Sequence, residues 1–293
     1  MRSLKTILLV MLLAAISVPA SADDKYRVIY PNIDGLGTDA FGYRALQLAL
    51  AKSGKPYHAE LLPISVNHAR AREMLDNGAI SICDFGTSAA YEEKYRAVYF
   101  PIDRGLNGLR LLLVKPATER RLAEMKAPDL FSLKLGQGHD WSDVQILEHA
   151  GFIVSPAPNL ANLFPMLQTD RFDALPLGLD EIYELKARYA DQAPDVVIDR
   201  YFVIRYPFAR LFFVKKDNGE LAEAVKRGLD RAFSDGSFQA LFRANQTYAE
   251  ALKHADLSAR HMVTIDNPLA TPQFHMIPSA YFLAVEQLSQ ARP

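Results

Sequence analysis

Short apolar runs alternate with longer stretches of helical spacing along most of this chain. Tyr26 to Tyr30 is a brief run of strand-forming residues that ends at Pro31. From Asp39 to Ser53, Tyr43, Leu46 and Leu50 share one helical face, and Gly54 supplies a stop. His58–Leu62 predicts a second strand, and Asn67–Asn77 a second helix closed by Gly78. Ile80–Phe85 predicts a third strand, followed by a helix through Ala89 to Tyr95. Strand and helix in regular turn predict a parallel sheet with helices on its faces.

The strongly apolar Leu109–Val114 predicts a further strand, bounded by Lys115-Pro116 and a polar connector from Ala117 to Pro128. The alternation then restarts. Leu133-Lys134-Leu135 reads as a strand, Ser142–Ala150 as a helix closed by Gly151, and Ile153-Val154 as a strand. A short helix is expected near Leu163–Gln168, with Pro165 in its first turn, where proline is tolerated. Phe172–Leu177 predicts a strand and Asp180–Ala190 a helix, and Val196–Ile198 and Leu211–Val214 read as the last strands. Helices follow at Glu220–Phe233 and Phe238–Ala244, joined by a turn at Asp235-Gly236. Beyond His254 the chain holds Pro268, Pro272 and Pro278 and reads as an extended tail ending in a helix. Two similar α/β halves are thus expected, without a repeat in sequence.

The first residues carry a different signal. Arg2 and Lys5 precede an unbroken apolar run, Ile7 to Ile16, too short to span a bilayer as a helix. Pro19 breaks the run, and Ala20-Ser21-Ala22 offers the small residues a signal peptidase reads. Residues 1–22 are therefore expected to be a signal peptide, cleaved after Ala22 to release a soluble periplasmic product. No cysteine follows the run, so no lipid anchor is expected. The formal net charge of −1 becomes slightly more negative without Arg2 and Lys5, which disfavours a nucleic-acid partner. Cys83, the only cysteine, allows no internal disulfide and reads as a small apolar residue in a buried strand.

Candidate chemistry concentrates at strand ends. Asn32 and Asp34 close the first strand, and Gly35-Leu36-Gly37-Thr38-Asp39-Ala40 follows it, matching a dinucleotide fingerprint in outline. For an exported chain the better reading is a loop that opens the first helix and lines a cleft. Thr87 and Ser88 fall just before a helix, where their hydroxyls can cap it and its free N–H groups can hold an anion. Arg104 and Arg110 flank Gly105 and Gly108, and a guanidinium fork matches a carboxylate or phosphate. His139 and Trp141 lie in a glycine-containing turn at a helix start, with Trp141 offering a stacking face. The seven histidines show no metal-ligand spacing and no Gly-x-Ser-x-Gly elbow occurs, so no metal, cofactor or catalytic residue is assigned.

Several of these stretches, in order, resemble the family 3 extracellular solute-binding proteins. They are Phe85-Gly86-Thr87-Ser88, Tyr99 to Val114, Leu135 to Asp143, Asp170-Arg171-Phe172-Asp173-Ala174 (similar to the family's Gly-Arg-Val-Asp-Ala) and Leu229 to Phe242. The resemblance implies an α/β chain with the two-lobed type II periplasmic binding fold. Its hinge-connected, parallel-sheet lobes would comprise residues 23–108 as the first part of lobe 1, 109–212 as lobe 2, and 213–293 as the return to lobe 1 with a C-terminal tail. Ligand would sit in the cleft between them. Two positions depart from the amino-acid-binding members. Lys94, in Tyr91-Glu92-Glu93-Lys94, stands where they carry the arginine that holds a ligand carboxylate. Gly178 stands where they carry the aspartate that holds the amine, with Asp180 two residues later.

The implied function is capture of a small polar or anionic, amino-acid-like solute by a monomer. The partner would be a transporter permease (an ABC transporter) or a sensor kinase. The expected contacts are Asn32, Asp34, Thr87, Ser88, Arg104, Arg110, His139, Trp141 and Asp180. The rival is a periplasmic enzyme on the same scaffold, similar to the cyclohexadienyl dehydratases. Such an enzyme would need a tuned acid/base group in the cleft, for which Glu92, Glu93 and Asp180 are candidates. A third reading is a receptor lobe with a degenerate pocket.

Overall fold

A computed structural model of the chain describes residues 26–284. The expected signal segment, its cleavage after Ala22 and the end of the tail lie outside those residues.

The first lobe opens with β1 (Arg27–Ile33), α1 (Phe41–Lys52), β2 (His58–Val66), α2 (His68–Asn77), β3 (Ile82–Gly86), α3 (Ala89–Lys94) and β4 (Tyr95–Val98). Local signals set these boundaries. The Asn67 side chain accepts from the Arg70 N–H to start α2, and Gly78, at φ 79°, ends it. Cys83 is fully buried in β3, and burial pushes its thiol up, away from the reactive thiolate form.

The second lobe holds β5 (Leu109–Val114), α4 (Pro116–Leu122), β6 (Lys134–Gly138), α5 (Ser142–His149), β7 (Ile153–Ala157), α6 (Leu160–Gln168), β8 (Ala174–Gly178), α7 (Ile182–Arg188), β9 (Val197–Ile198) and β10 (Phe202–Arg205). The chain then returns through β11 (Arg210–Lys215), α8 (Gly219–Ser234), α9 (Ser237–Ala244) and α10 (Gln246–Ala255). β12 (His261–Thr264) and the short α11 (Pro272–His275) follow.

Lobe 1 is built on a parallel β1–β2 pair and a three-stranded sheet ordered β3-β11-β4. Lobe 2 is a seven-stranded sheet ordered β12-β10-β5-β8-β6-β7, with β9 also pairing β5. The expected parallel pairing is present, and the departures from it are confined to two strands. Pairing is parallel for β1–β2, β6–β7, β6–β8 and β10–β12, but antiparallel wherever β5 or β11 takes part. Those strands carry the chain between the lobes, so each enters its sheet against the direction of its neighbours.

Three strands were not legible in the pattern. β4 follows α3 with no turn signal between them, β10 is only four residues long, and β12 lies in the proline-containing tail. β12 pairs with β10, so part of the tail belongs to the sheet of lobe 2. Pro165 is also corrected. It sits inside α6, whose start is capped six residues earlier by Asn159 accepting from the Asn162 N–H. α7 begins at Ile182, leaving Asp180 and Glu181 in the turn before it.

The hinge is tied by one buried carboxylate. Asp103 Oδ1 accepts from the N–H groups of Gly105 (3.2 Å) and Arg210 (3.1 Å), and Oδ2 from that of Asn107 (2.9 Å). Both crossing segments therefore hang on a single side chain. Gly108 lets them approach: a Cβ there would lie 2.6 Å from the Tyr206 carbonyl oxygen and 2.9 Å from that of Phe208.

Candidate functional site

A cavity of about 270 Å³ opens between the lobes. Lobe 1 contributes Tyr30 and Asp34 from the end of β1, the start of α1, His68 at the start of α2, Asp84 from β3 and Arg210 from β11. Lobe 2 contributes Asp180 and Glu181, with Glu184, Leu185 and Arg188 from α7. Asn245, Thr247 and Tyr248 at the start of α10 form a further wall.

On the lobe 1 side, Arg210 Nε and Nη2 donate to Asp84 Oδ2 at 2.9 and 2.7 Å, and the Tyr30 hydroxyl donates to Asp84 Oδ1. Asp84 is buried, so its charge requires these partners. Arg210 Nη1 makes no hydrogen bond to a described residue, which leaves a charged donor at the cavity surface.

On the lobe 2 side, Asn107 Nδ2 donates to both oxygens of Asp180, at 2.8 and 3.0 Å. Gly178 makes room for this carboxylate: a Cβ on it would lie 2.3 Å from Asp180 Oδ1 and 2.8 Å from Asn107 Nδ2. The volume where a residue 178 side chain would begin is thus filled by Asp180. Glu181 accepts from the Gly178 N–H and lies 3.6 Å from Arg110 Nη1. Burial, and next the charge of Asp180, push both Glu181 and Asp103 up to about 7. Burial, and next the charge of Arg210, hold the His68 imidazole down at about 4.

The nine sequence-derived contacts separate in the fold. Asp34 and Asp180 line the cavity; the other seven do not. Asn32 Oδ1 accepts from the Gly37 N–H and holds the loop after β1. Thr87 donates to Glu92, and Ser88 caps α3 by accepting from the Tyr91 N–H. Arg104 donates to the carbonyls of Tyr281 and Phe282 and so faces the tail. Arg110 is sealed beneath the cavity, bonded to Tyr206, Asn107 and Asp143. His139 is exposed, and the Trp141 ring folds over Gly138, where a Cβ would collide with it. Beside them, Asp140 reaches Arg72 of α2 at 3.6 Å, an ion pair across the cleft.

Glu92, a candidate acid/base group, accepts from the hydroxyls of Thr87, Tyr99 and Thr271, which joins α3 to the tail. Lys94 is exposed and paired with Asp76. Sequence reasoning missed Asp84, Arg210, Glu181 and Tyr248. Asp84 and Arg210 had a visible signal: each is a single charge beside an otherwise apolar strand run, Ile82-Cys83-Asp84-Phe85 and Arg210-Leu211-Phe212-Phe213-Val214. Among the described residues no cluster of His, Cys, Asp and Glu is arranged to hold a metal. No described helix is long and apolar enough to cross a membrane.

No family model matches the sequence, and no curated protein sequence matches it. Solved structures do match in shape. The BvgS VFT2 domain of Bordetella pertussis superposes with a TM-score of 0.55 at 15% identity, covering 76% of this chain and 97% of that one. The GluR0 ligand-binding core of Nostoc punctiforme, in complex with L-glutamate, gives 0.53 at 13% identity, with 76% and 99% covered. An amino acid ABC transporter substrate-binding protein, AbpA of Streptococcus pneumoniae, bound to L-arginine, gives 0.51 at 16% identity, with 78% and 97% covered. Their likeness in overall shape gives this chain the two-lobed type II periplasmic binding fold.

Proposed function

We propose that this protein captures a small polar solute in the cavity between its lobes, by closure about the Asp103 hinge, without turning it over. The observation that carries the reading is the cavity itself. Charged groups on separate lobes, Arg210 with Asp84 on one and Asp180 with Glu181 on the other, face a space of about 270 Å³, suited to a small solute. A ligand that touches both sets favours the closed arrangement by its differential affinity. The expected setting is the periplasm, after removal of residues 1–22. The closed form would be read by a transporter permease or a sensor kinase. The bound forms of the amino-acid-binding neighbours are consistent with a solute carrying an amine.

Native mass spectrometry of the mature protein, with small-angle scattering, tests this. A retained small molecule, and a radius that shrinks when it is added back to stripped protein, is the expected result. An unchanged radius with the ligand bound would remove the closure mechanism.

One observation favours the rival enzyme. Glu181 titrates at about 7 beside Asp180 in the cavity, as a general acid or base would. Accumulation of a product mass from the retained molecule would decide for it.

A further inference from the structure

The charge around the cavity points to the chemical class of its solute, an inference that rests on the capture reading above. Six carboxylates line the space, against the two guanidiniums of Arg188 and Arg210. Arg188 is paired with Glu184, and Arg210 spends Nε and Nη2 on Asp84 and keeps only Nη1 open to the cavity. His68, held down at about 4, adds no charge near neutrality. Among the described residues Asp34 and Asp39 at the mouth and Asp180 at depth make no direct ion pair, although Asp180 lies in the field of Arg210 and Arg110.

A cluster of acids could simply be solvated, but a second feature points to a ligand. Tyr248 is 7% exposed and lines the cavity, yet its hydroxyl makes no hydrogen bond to any described residue. Asn245, at 8%, accepts the Tyr248 N–H with its carbonyl oxygen and leaves its amide nitrogen unused. Buried polar groups are normally satisfied. On residues otherwise this buried, the two unpartnered polar atoms beside Asp180 are open to the cavity and available to a ligand. We propose that the cavity selects a cationic solute, with an ammonium or guanidinium group seated on Asp180 and the Tyr248 hydroxyl, and rejects small anions.

Calorimetric titration of stripped protein with agmatine, putrescine, L-arginine and L-glutamate tests this. At least one of the three cations should bind, and glutamate should bind at least about tenfold more weakly. Asp180→Asn should weaken the cation by at least about tenfold, and Tyr248→Phe by several-fold, with melting curves showing that both variants remain folded. Preference for glutamate, or binding of a cation indifferent to both substitutions, overturns the proposal. So does a panel in which nothing binds. The capture reading fails separately, if native mass spectrometry finds no retained solute and no probe changes the scattering radius, or if a bound molecule is turned over.

Discussion

The same three side chains meet twice in this molecule, once in each lobe. In lobe 1, Tyr30 and Arg210 hold Asp84; in lobe 2, Tyr206 and Arg110 hold Asp143. The chemistry is nearly the same, but the surroundings differ. The Arg210 side chain is 25% exposed and keeps Nη1 free at the cavity, whereas that of Arg110 is 4% exposed and has partners around its whole fork. The second trio is thus a rivet inside lobe 2, joining β5, α5 and the segment after β10. The first is a rivet with one face left open. An arginine becomes a ligand contact through the donor it has not spent, and its position beside glycines says little about that.

The largest expected effect breaks the sealed trio. Arg110→Met leaves buried Asp143 with only the Tyr206 hydroxyl and no counter-charge, and weakens the support under Glu181. Loss of one partner from a buried pair costs about 3–5 kcal/mol. Arg210→Met should cost less stability, because water can enter from the cavity to solvate Asp84. It should instead reduce affinity for a solute such as L-arginine, whose carboxylate can accept from Nη1, more than affinity for putrescine, which has no such acceptor. Urea unfolding and calorimetry on both variants measure the two effects. Equal unfolding midpoints would show that the two trios do not differ in the way their exposure suggests.

The sequence made much of this fold legible and little of the site, for one physical reason. Periodicity reports which face of an element is apolar, and it placed α1, α2, β5 and α8 close to their observed positions. It does not report which strand ends meet across a gap. Asp84 and Arg210 are 126 residues apart, and their pairing depends on β11 running antiparallel to β3. Asp180 was legible because the resemblance marked Gly178 as an empty position nearby. Thr87 and Ser88 sit at the right kind of helix start, yet their hydroxyls are spent on Glu92 and on the cap of α3.

A smaller effect comes from the carboxylates between the two trios. Asp103 and Glu181 keep their protons up to about 7 when folded, against ordinary values of 3.8 and 4.5. Between those limits the native state binds more protons than the unfolded chain, so stability falls as pH rises toward 7. Asp180 faces both groups, the hinge amides face Asp103, and Arg110 and Arg210 partly offset the rise at Glu181. His68 opposes the trend, because its depressed value costs stability as pH falls from 6.5 toward 4. Ligand-free protein should therefore melt higher near pH 6 than near pH 8, and Glu181→Gln should flatten that slope. A cationic solute reverses the preference, binding more tightly at pH 8 with release of protons. Melting curves and titrations in buffers of different ionisation enthalpy read both trends; a melting temperature that rises steadily from pH 6 to 8 would contradict the assignment.

The smallest effect on binding is expected at Arg104, a third arginine that belongs to neither trio. Its Nη2 donates to the Phe282 carbonyl at 3.0 Å and its Nε to that of Tyr281 at 3.3 Å, while its own carbonyl accepts from the Leu283 N–H at 2.9 Å. The guanidinium also lies 5.6 Å from the Phe242 ring. The hydrogen bonds face the tail and the ring contact faces α9, and neither Arg104 nor any of these partners lines the cavity. Arg104→Ala removes the side-chain bonds to the tail but leaves the backbone bond from Leu283, and hydrogen bonds to a charged donor are worth about 1.5–3 kcal/mol. Solute affinity should change less than about twofold, since nothing that lines the cavity loses a partner. Hydrogen exchange at Tyr281–Leu283 should quicken, because the 3-10 turn at Ser279–Tyr281 loses its fastening to the hinge. A large loss of affinity in Arg104→Ala would instead bring this arginine into the site and make the open face of the Arg210 trio insufficient to account for binding.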